Sequence, residues 1–471
     1  MLFNSLTFLV FFGLVLAAHR LPIAWSARKL NLLLASYLFY AAWNPPFIAL
    51  LWISTLTDWF VARGMVAAPT RTRRRLLLLT SLGVNLGLLA YFKYAGFVLE
   101  NFIWLLAQAG VHYQPPALDI VLPLGISFYT FQTLSYSISV YRGEMQPSKS
   151  FLDYALFVTF FPQLVAGPIV RAREFLPQCL EPKRADGRQL GWGLALLVFG
   201  LFEKVVLADN LLAPTADRVF GQADAAGTLD AWVGTFAFTG QILFDFAGYS
   251  FCAVGVALCL GFVLPDNFDC PYAARGFSDF WRRWHITLSS WLRDYLYIPL
   301  GGNRRTRVRT YVNLMITMLL GGLWHGAAWH FVVWGALHGS YLALERKLRS
   351  IRGERAASAN GVSALFAYLG TFLVVAITWV FFRAEGIGDA LQILRTLFAG
   401  VDGSLVEPSR AWIVAAIIGC TLVAQIRLRD RKLEAFAARL PLWLRAAGLA
   451  AMICSLVLAP GDDRAFIYFQ F

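Results

Sequence analysis

Charge is the scarcest commodity in this chain: only 15% of its 471 residues are Asp, Glu, Lys or Arg, against about 25% in soluble domains. Such a composition excludes an ordinary soluble enzyme. Cysteine is also sparse. The six (Cys179, Cys252, Cys259, Cys270, Cys420 and Cys454) form no C-x-x-C pair, so neither a disulfide framework nor a zinc site is indicated, and Cys252 and Cys259 read as small core residues. There is no fixed-period repeat, no low-complexity tract and no long linker. Histidine is limited to six residues, and four of them, His285, His325, His330 and His338, fall between positions 280 and 345.

What the chain has instead is apolar length. It is 58% hydrophobic with a mean hydropathy of +0.59, and many separate runs approach the roughly 20 residues needed to cross a bilayer as a helix. Candidate spans lie near 2–18, 30–45, 47–64, 76–92, 94–110, 119–140, 151–167, 190–208, 232–263, 310–323, 325–344, 362–383, 411–427 and 443–459. Several are too short or too interrupted by Gly and Pro to cross alone. The expectation is an all-α polytopic membrane protein, one integral domain over 1–471 with a motif-dense core at about 119–345. About 10–12 crossings are expected, with the remaining segments re-entrant or interfacial. The first run lacks a basic stretch before its apolar core and a small-residue cleavage site, so it reads as a retained span.

The formal net charge of +13 does not mean nucleic acid. The basic residues cluster at the ends of apolar runs, at Arg71–Arg75, Lys183–Arg188, Arg304–Arg309, Arg346–Arg355 and Arg427–Lys432, as the positive-inside bias and anionic headgroups require. With Arg20, Arg28 and Lys29 after the first run and Arg71–Arg75 after the third, that bias places the N-terminus outside and both of these basic loops in the cytoplasm. The partners expected on this ground are membrane lipid, not nucleic acid.

His325 stands in the almost wholly apolar run Gly321-Gly322-Leu323-Trp324-His325-Gly326. An ionisable group there is costly without a partner or a cavity, which makes it a functional-site hypothesis. A histidine so placed can act as general base on a hydroxyl, and Trp324 supplies a flat apolar wall. On a continuous helix at 100° per residue neither His330 nor His338 shares a face with His325, so a three-histidine metal site is not expected. Upstream, Trp284-His285-Ile286-Thr287-Leu288-Ser289-Ser290-Trp291-Leu292-Arg293-Asp294 reads as one amphipathic helix within 276–300. On it His285 and Ser289, and Ser290 and Asp294, are pairs at i, i+4; the plainer reading is a solvated face. A Ser-His-Asp hydrolase is disfavoured, since there is no G-x-S-x-G elbow. Segment 388–399 also reads as amphipathic. The Gly/Pro-broken runs Pro123–Phe128 and Phe160–Pro168 are expected to leave uncoiled backbone suited to a cavity or acyl path. Lys93, Glu203, Lys204, Asp209 and Asp245 are border or intramembrane charges expected to be paired or to snorkel.

Together PLGISFYTFQTLSYSISVYRGE, FFPQLVAGPIVR, DFWRRWHITLSSWLRDYLYIPLGGNR, MLLGGLWHGAAWHFVVWGALHG and the terminal Phe466–Phe471 resemble the membrane-bound O-acyltransferase superfamily. The nearest branch is that of bacterial polysaccharide acetylases of the alginate O-acetylation type. The resemblance implies a ring of tilted helices around a central funnel, with His325 as the histidine that activates a hydroxyl against a thioester or relays the acyl group. Other branches carry an Asn or Asp in the upstream helix; here that position falls near Ser290, flanked by His285 and Asp294. Trp324, Trp284, Trp291 and His338 make up the expected substrate-binding set. The implied reaction is acetyl transfer at the bacterial inner membrane, from a cytoplasmic thioester, acetyl-CoA in the first instance, to hydroxyls of an exported polysaccharide. Transfer is direct or through a periplasmic partner of the SGNH type. Neither a metal nor a redox cofactor is implied. Rivals are the same fold acylating peptidoglycan, a D-alanyl-accepting polymer or a secondary metabolite. A proton-coupled transporter is a further rival, though it calls for more carboxylates and for repeat symmetry.

Overall fold

In a computed structural model the chain is described at residues 1, 3–352, 361–459, 464, 466 and 467. Tyr468–Phe471 of the terminal motif lie outside the described residues. The described residues are helical with no strand among them, so the all-α expectation holds. This is what lipid demands, because only a helix satisfies its own backbone hydrogen bonds in hydrocarbon.

Among the described residues six helices are long and apolar enough to cross a membrane: Pro45–Ala67, Arg71–Gln108, Gly187–Gly221, Thr228–Cys259, Val362–Arg383 and Pro408–Leu428. Leu6–His19 and Leu442–Leu458 are shorter apolar helices. Other expected spans are interrupted where their sequences interrupt them. The run 119–140 becomes helical only at Ile126, after Pro123 and a left-handed Gly125. The run 151–167 stops at Thr159, followed by the single turn Phe161–Leu164. The chain is a multi-pass membrane protein.

The residues divide into two compact units, one of Met1–Leu194 with Ala253–Pro265, the other of Ala195–Cys252 with Asp266–Phe471. In the first, Ile48–Ala67, Arg71–Leu89 and Ile126–Arg142 are tied by a buried polar network. Asp58, fully buried, accepts from Ser81, from Ser137 Oγ at 2.9 Å and from Asn85 Nδ2 at 2.9 Å. Each of these partners is neutral and saturates an acceptor that would otherwise be stranded. The two Gly/Pro-broken motifs meet here: a Cβ on Gly125, whose φ is +73°, would stand 2.5 Å from the carbonyl oxygen of Leu164.

In the second unit, the helices Arg307–His325 and Trp329–Arg352 form a hairpin packed through small residues. A Cβ on Gly322 would come within 2.2 Å of the Phe331 carbonyl oxygen, and one on Gly335 within 2.3 Å of the Met318 carbonyl oxygen. Close backbone approach of this kind drives helix association where lipid removes the hydrophobic incentive. Of the border and intramembrane charges, three pair as expected: Lys204 lies between Asp209, at 2.9 Å, and Asp245, and Asp245 Oδ2 also accepts from the backbone N–H of Ile467 at 2.7 Å, whereas Glu203 buries a carboxyl oxygen that has no partner among the described residues. Cys252 is buried against Gly200, where a Cβ would lie 2.8 Å from its sulfur.

Candidate active site

The segment read as one amphipathic helix is three pieces: Phe277–Arg283, Ile286–Leu292 and a wider-wound turn, Arg293–Tyr297. His285 is the hinge between the first two, in the left-handed region at φ 43° and ψ 54°. A non-glycine residue there is strained, and it persists only where its surroundings over-determine it. The expected His285–Ser289 pairing on a helical face is therefore corrected, since His285 precedes the helix. Ser289 Oγ donates to the Trp284 carbonyl at 3.2 Å, and Ser290 Oγ to that of Thr287 at 3.0 Å. Asp294 holds Arg293 Nε at 2.7 Å, at a more exposed position than His285.

The continuous helix assumed for the other three histidines is also corrected. His325 ends Arg307–His325, Gly326 is extended (φ −156°, ψ 146°), and His330 and His338 belong to the next helix. The break has a steric origin. A Cβ on Gly326 would sit 2.0 Å from the Phe331 ring, so glycine is required for the chain to turn directly behind His325.

These breaks bring His285 and His325 together. Their ring centroids are 6.4 Å apart, with exposures of 0% and 2%. Trp324 lies against both, at 5.9 Å from His285 and 5.1 Å from His325. Trp334 stands edge-on to His325 at 5.1 Å, and Phe382 at 5.2 Å. Phe246 closes the other side of His285 at 4.6 Å. Of the remaining expected residues, Trp284 is fully buried between Phe280 and Trp379. Trp291 packs on Tyr295. His338 is fully buried, with Nε2 3.0 Å from Thr378 Oγ1; that hydroxyl is itself 2.7 Å from the Val375 carbonyl. His330 Nδ1 is 2.9 Å from the Phe381 carbonyl, which gives it a structural bond to the neighbouring helix.

Three contributors were not foreseen. Asn267, in the loop after Thr228–Cys259, has Oδ1 3.1 Å from His285 Nδ1. Its only sequence signal is a polar residue in a Pro-bounded loop, Pro265-Asp266-Asn267, and loops of this kind often carry function. Trp334 and Trp281 bury indole N–H groups that have no acceptor among the described residues, as does Trp284. Such donors suit a carbonyl oxygen of a bound ligand, because leaving them unpaired costs about 1–3 kcal/mol each. Among the described residues no three His, Cys, Asp or Glu side chains converge as a metal site.

Beside the histidine pair, the helix Phe277–Arg283 is locked by ions. Asp279 accepts from the backbone N–H of Arg275 at 2.9 Å, from Arg429 at 2.8 Å and from Arg283 Nε at 3.0 Å. Burial pushes its carboxyl up, but these donors outweigh burial and hold it at about 2.

A buried histidine pair walled by indoles, at the end of a glycine-packed hairpin, is the arrangement to compare with known proteins. The profile of the membrane-bound O-acyltransferase family matches residues 126–375. This chain belongs to that family. It is 41% identical over 429 residues to the probable alginate O-acetylase of Azotobacter vinelandii, covering 90% of this chain and 84% of that one. It is 41% identical over 431 residues to the probable alginate O-acetylase of Pseudomonas aeruginosa PAO1, covering 91% and 81%. The peptidoglycan O-acetyltransferase of Helicobacter pylori is 40% identical over 403 residues, covering 80% and 74%. The protein is a membrane acyltransferase, and the family match spans both His285 and His325.

Proposed function

We propose that this acyltransferase moves an acetyl group from a cytoplasmic thioester, acetyl-CoA in the first instance, across the bacterial inner membrane to hydroxyls of an exported polysaccharide, directly or through a periplasmic SGNH-type partner. The observation that carries this reading is the desolvated pair His325 and His285, 6.4 Å apart within an indole wall. Acyl transfer to an alcohol needs a base that water cannot reach, because water competes as the nucleophile.

In this mechanism His325 takes the proton of the acceptor hydroxyl as its oxygen bonds to the thioester carbonyl carbon. The carbon–sulfur bond then breaks, and the thiolate leaves with the proton returned by the imidazolium. An acetyl ester and a thiol result. The buried indole N–H of Trp334, whose ring stands 5.1 Å from that of His325, is a donor suited to the carbonyl oxygen as charge develops on it. The acceptor reading is supported by the relatives named above, whose names specify alginate in two cases and peptidoglycan in one. Alginate-type polymer is the first reading. The glycan of peptidoglycan is the second, favoured by the comparable identity of the Helicobacter protein.

His325→Ala, with membrane insertion retained, is expected to lower polymer acetylation by about 10²- to 10⁴-fold, the usual worth of a general base. Acetate release from saponified polymer measures it. Undiminished acetylation sinks the assignment. His330→Ala is expected to retain most activity.

A further inference from the structure

Asn267 is 2% exposed, and its side-chain bonds fix which atom is which. Oδ1 lies 2.9 Å from Thr287 Oγ1, 3.4 Å from the Thr287 backbone nitrogen and 3.1 Å from His285 Nδ1. Nδ2 donates to Ser250 Oγ at 3.3 Å. A backbone N–H can only donate, so the atom facing Thr287 is the amide oxygen. An amide oxygen can only accept, so the proton between it and His285 resides on Nδ1. The opposite tautomer would set two lone pairs against each other at 3.1 Å. Neutral imidazole carries one N–H; with Nδ1 protonated, Nε2 holds the lone pair.

The same residue also fixes the backbone. The Asn267 carbonyl accepts from the Ile286 N–H at 2.9 Å, immediately after the left-handed turn at His285. One residue thus sets the conformation, orientation and tautomer of the ring that faces His325.

We propose that Asn267 is a positioning residue of the acyl-transfer site: it holds His285 as the Nδ1–H tautomer, so that its Nε2 lone pair faces the imidazolium that His325 becomes on taking the hydroxyl proton. The use of Nε2 rests on the acyl-transfer reading above; the tautomer does not. Among the described residues the groups seen around the His285 ring include Phe246 from Thr228–Cys259, Trp324 and His325 from Arg307–His325, and Thr287 and Asn267. His325 is the titratable one among these. Asp245, adjacent to Phe246, is engaged by Lys204 and the Ile467 N–H.

The test uses the full-length protein in lipid, labelled with ¹⁵N-histidine and compared with His285→Gln to assign the ring. Solid-state NMR of the wild type is expected to show a protonated Nδ1 and a bare Nε2 on His285. Asn267→Leu is expected to shift that ring to the other tautomer or to a mixture. It is also expected to lower kcat for acetylation at least about tenfold with KM for the thioester little changed; a mis-set tautomer in a Ser-His-Asp triad costs about 10⁴ in kcat. Asn267→Asp keeps the acceptor oxygen and adds charge, so Nδ1 stays protonated. Since a nearby carboxylate favours the imidazolium, the acidic limb of the kcat/KM profile is expected to move to higher pH by about one unit or more. A wild-type ring protonated at Nε2, or a tautomer unmoved in Asn267→Leu, overturns the tautomer assignment. A moved tautomer with unchanged kcat overturns the positioning role. Failure of the wild type to acetylate overturns the functional reading and leaves the NMR result standing.

Discussion

At the scale of single residues, the site depends on two backbone irregularities that side-chain chemistry does not announce. His285 stands in the left-handed region, and Gly326 is extended directly behind His325. Gly326→Ala is expected to destabilise the protein by about 1–3 kcal/mol, the usual range for overpacking, because the new methyl would meet the Phe331 ring at 2.0 Å. Thermal unfolding in detergent reads the loss. Phe331→Leu in the same chain is expected to recover part of it, and no recovery would count against a steric cause. His325 was legible as a candidate from its apolar surroundings, and its rank above the other histidines came from the family resemblance. The partnership of His285 was legible only as a nearby candidate, since a left-handed hinge leaves no periodic trace. Ser290 and Asp294 were chosen by helical spacing and by the place an Asn or Asp takes in other branches; Asp294 falls in the wider-wound turn Arg293–Tyr297, which alters the spacing assumed between them.

At the scale of elements, the short helix Phe277–Arg283 delivers His285, and it is held by charge more than by length. Asp279 is bound by Arg429, Arg283 and the Arg275 N–H, which lower its carboxyl from 3.8 to about 2. A carboxylate depressed in the folded state adds stability that is fully present above its unfolded value and lost as pH falls through its folded value. The protein is therefore expected to lose thermal stability between about pH 4 and pH 2 beyond the loss in Asp279→Asn, in which that contribution is absent at every pH. Melting curves across this range, with both proteins in the same detergent, measure the difference. Parallel curves would exclude Asp279 as the source. Sequence reading placed an amphipathic, arginine-rich segment here but not its clamp, because Arg429 is 150 residues distant along the chain.

At the scale of the whole molecule, six helices among the described residues are long and apolar enough to cross a membrane, and two shorter apolar ones accompany them. The basic clusters predict orientation: the loop before Arg71–Leu89, which bears Arg71, Arg73, Arg74 and Arg75, belongs in the cytoplasm. A cysteine placed by Pro69→Cys, at an exposed loop position, is expected to react with a membrane-impermeant maleimide only after cells are opened, measured against labelling of the natural cysteines. Labelling in intact cells would reverse the orientation. Class, helical architecture and family were all available from the sequence, because hydropathy and long local motifs depend on near neighbours along the chain. The course of the individual helices was less so. Proline and glycine in 119–125 and 160–168 mark interruptions, yet how the broken ends pack, as Gly125 does on Leu164, depends on contacts between distant segments.

The sequence by itself determined that this chain lives in a membrane, that it is helical, and that His325 is the residue to examine first. Each follows from what an ionisable group or an unpaired peptide costs in hydrocarbon, and the apolar runs that set that cost are read along the chain. Only the tertiary structure decided that His285 is its neighbour, that Asn267 governs the protons of His285, and that Gly326 turns the chain behind His325. Those outcomes rest on distances between segments up to tens of residues apart, and on a single left-handed residue that local propensity alone would have made helical.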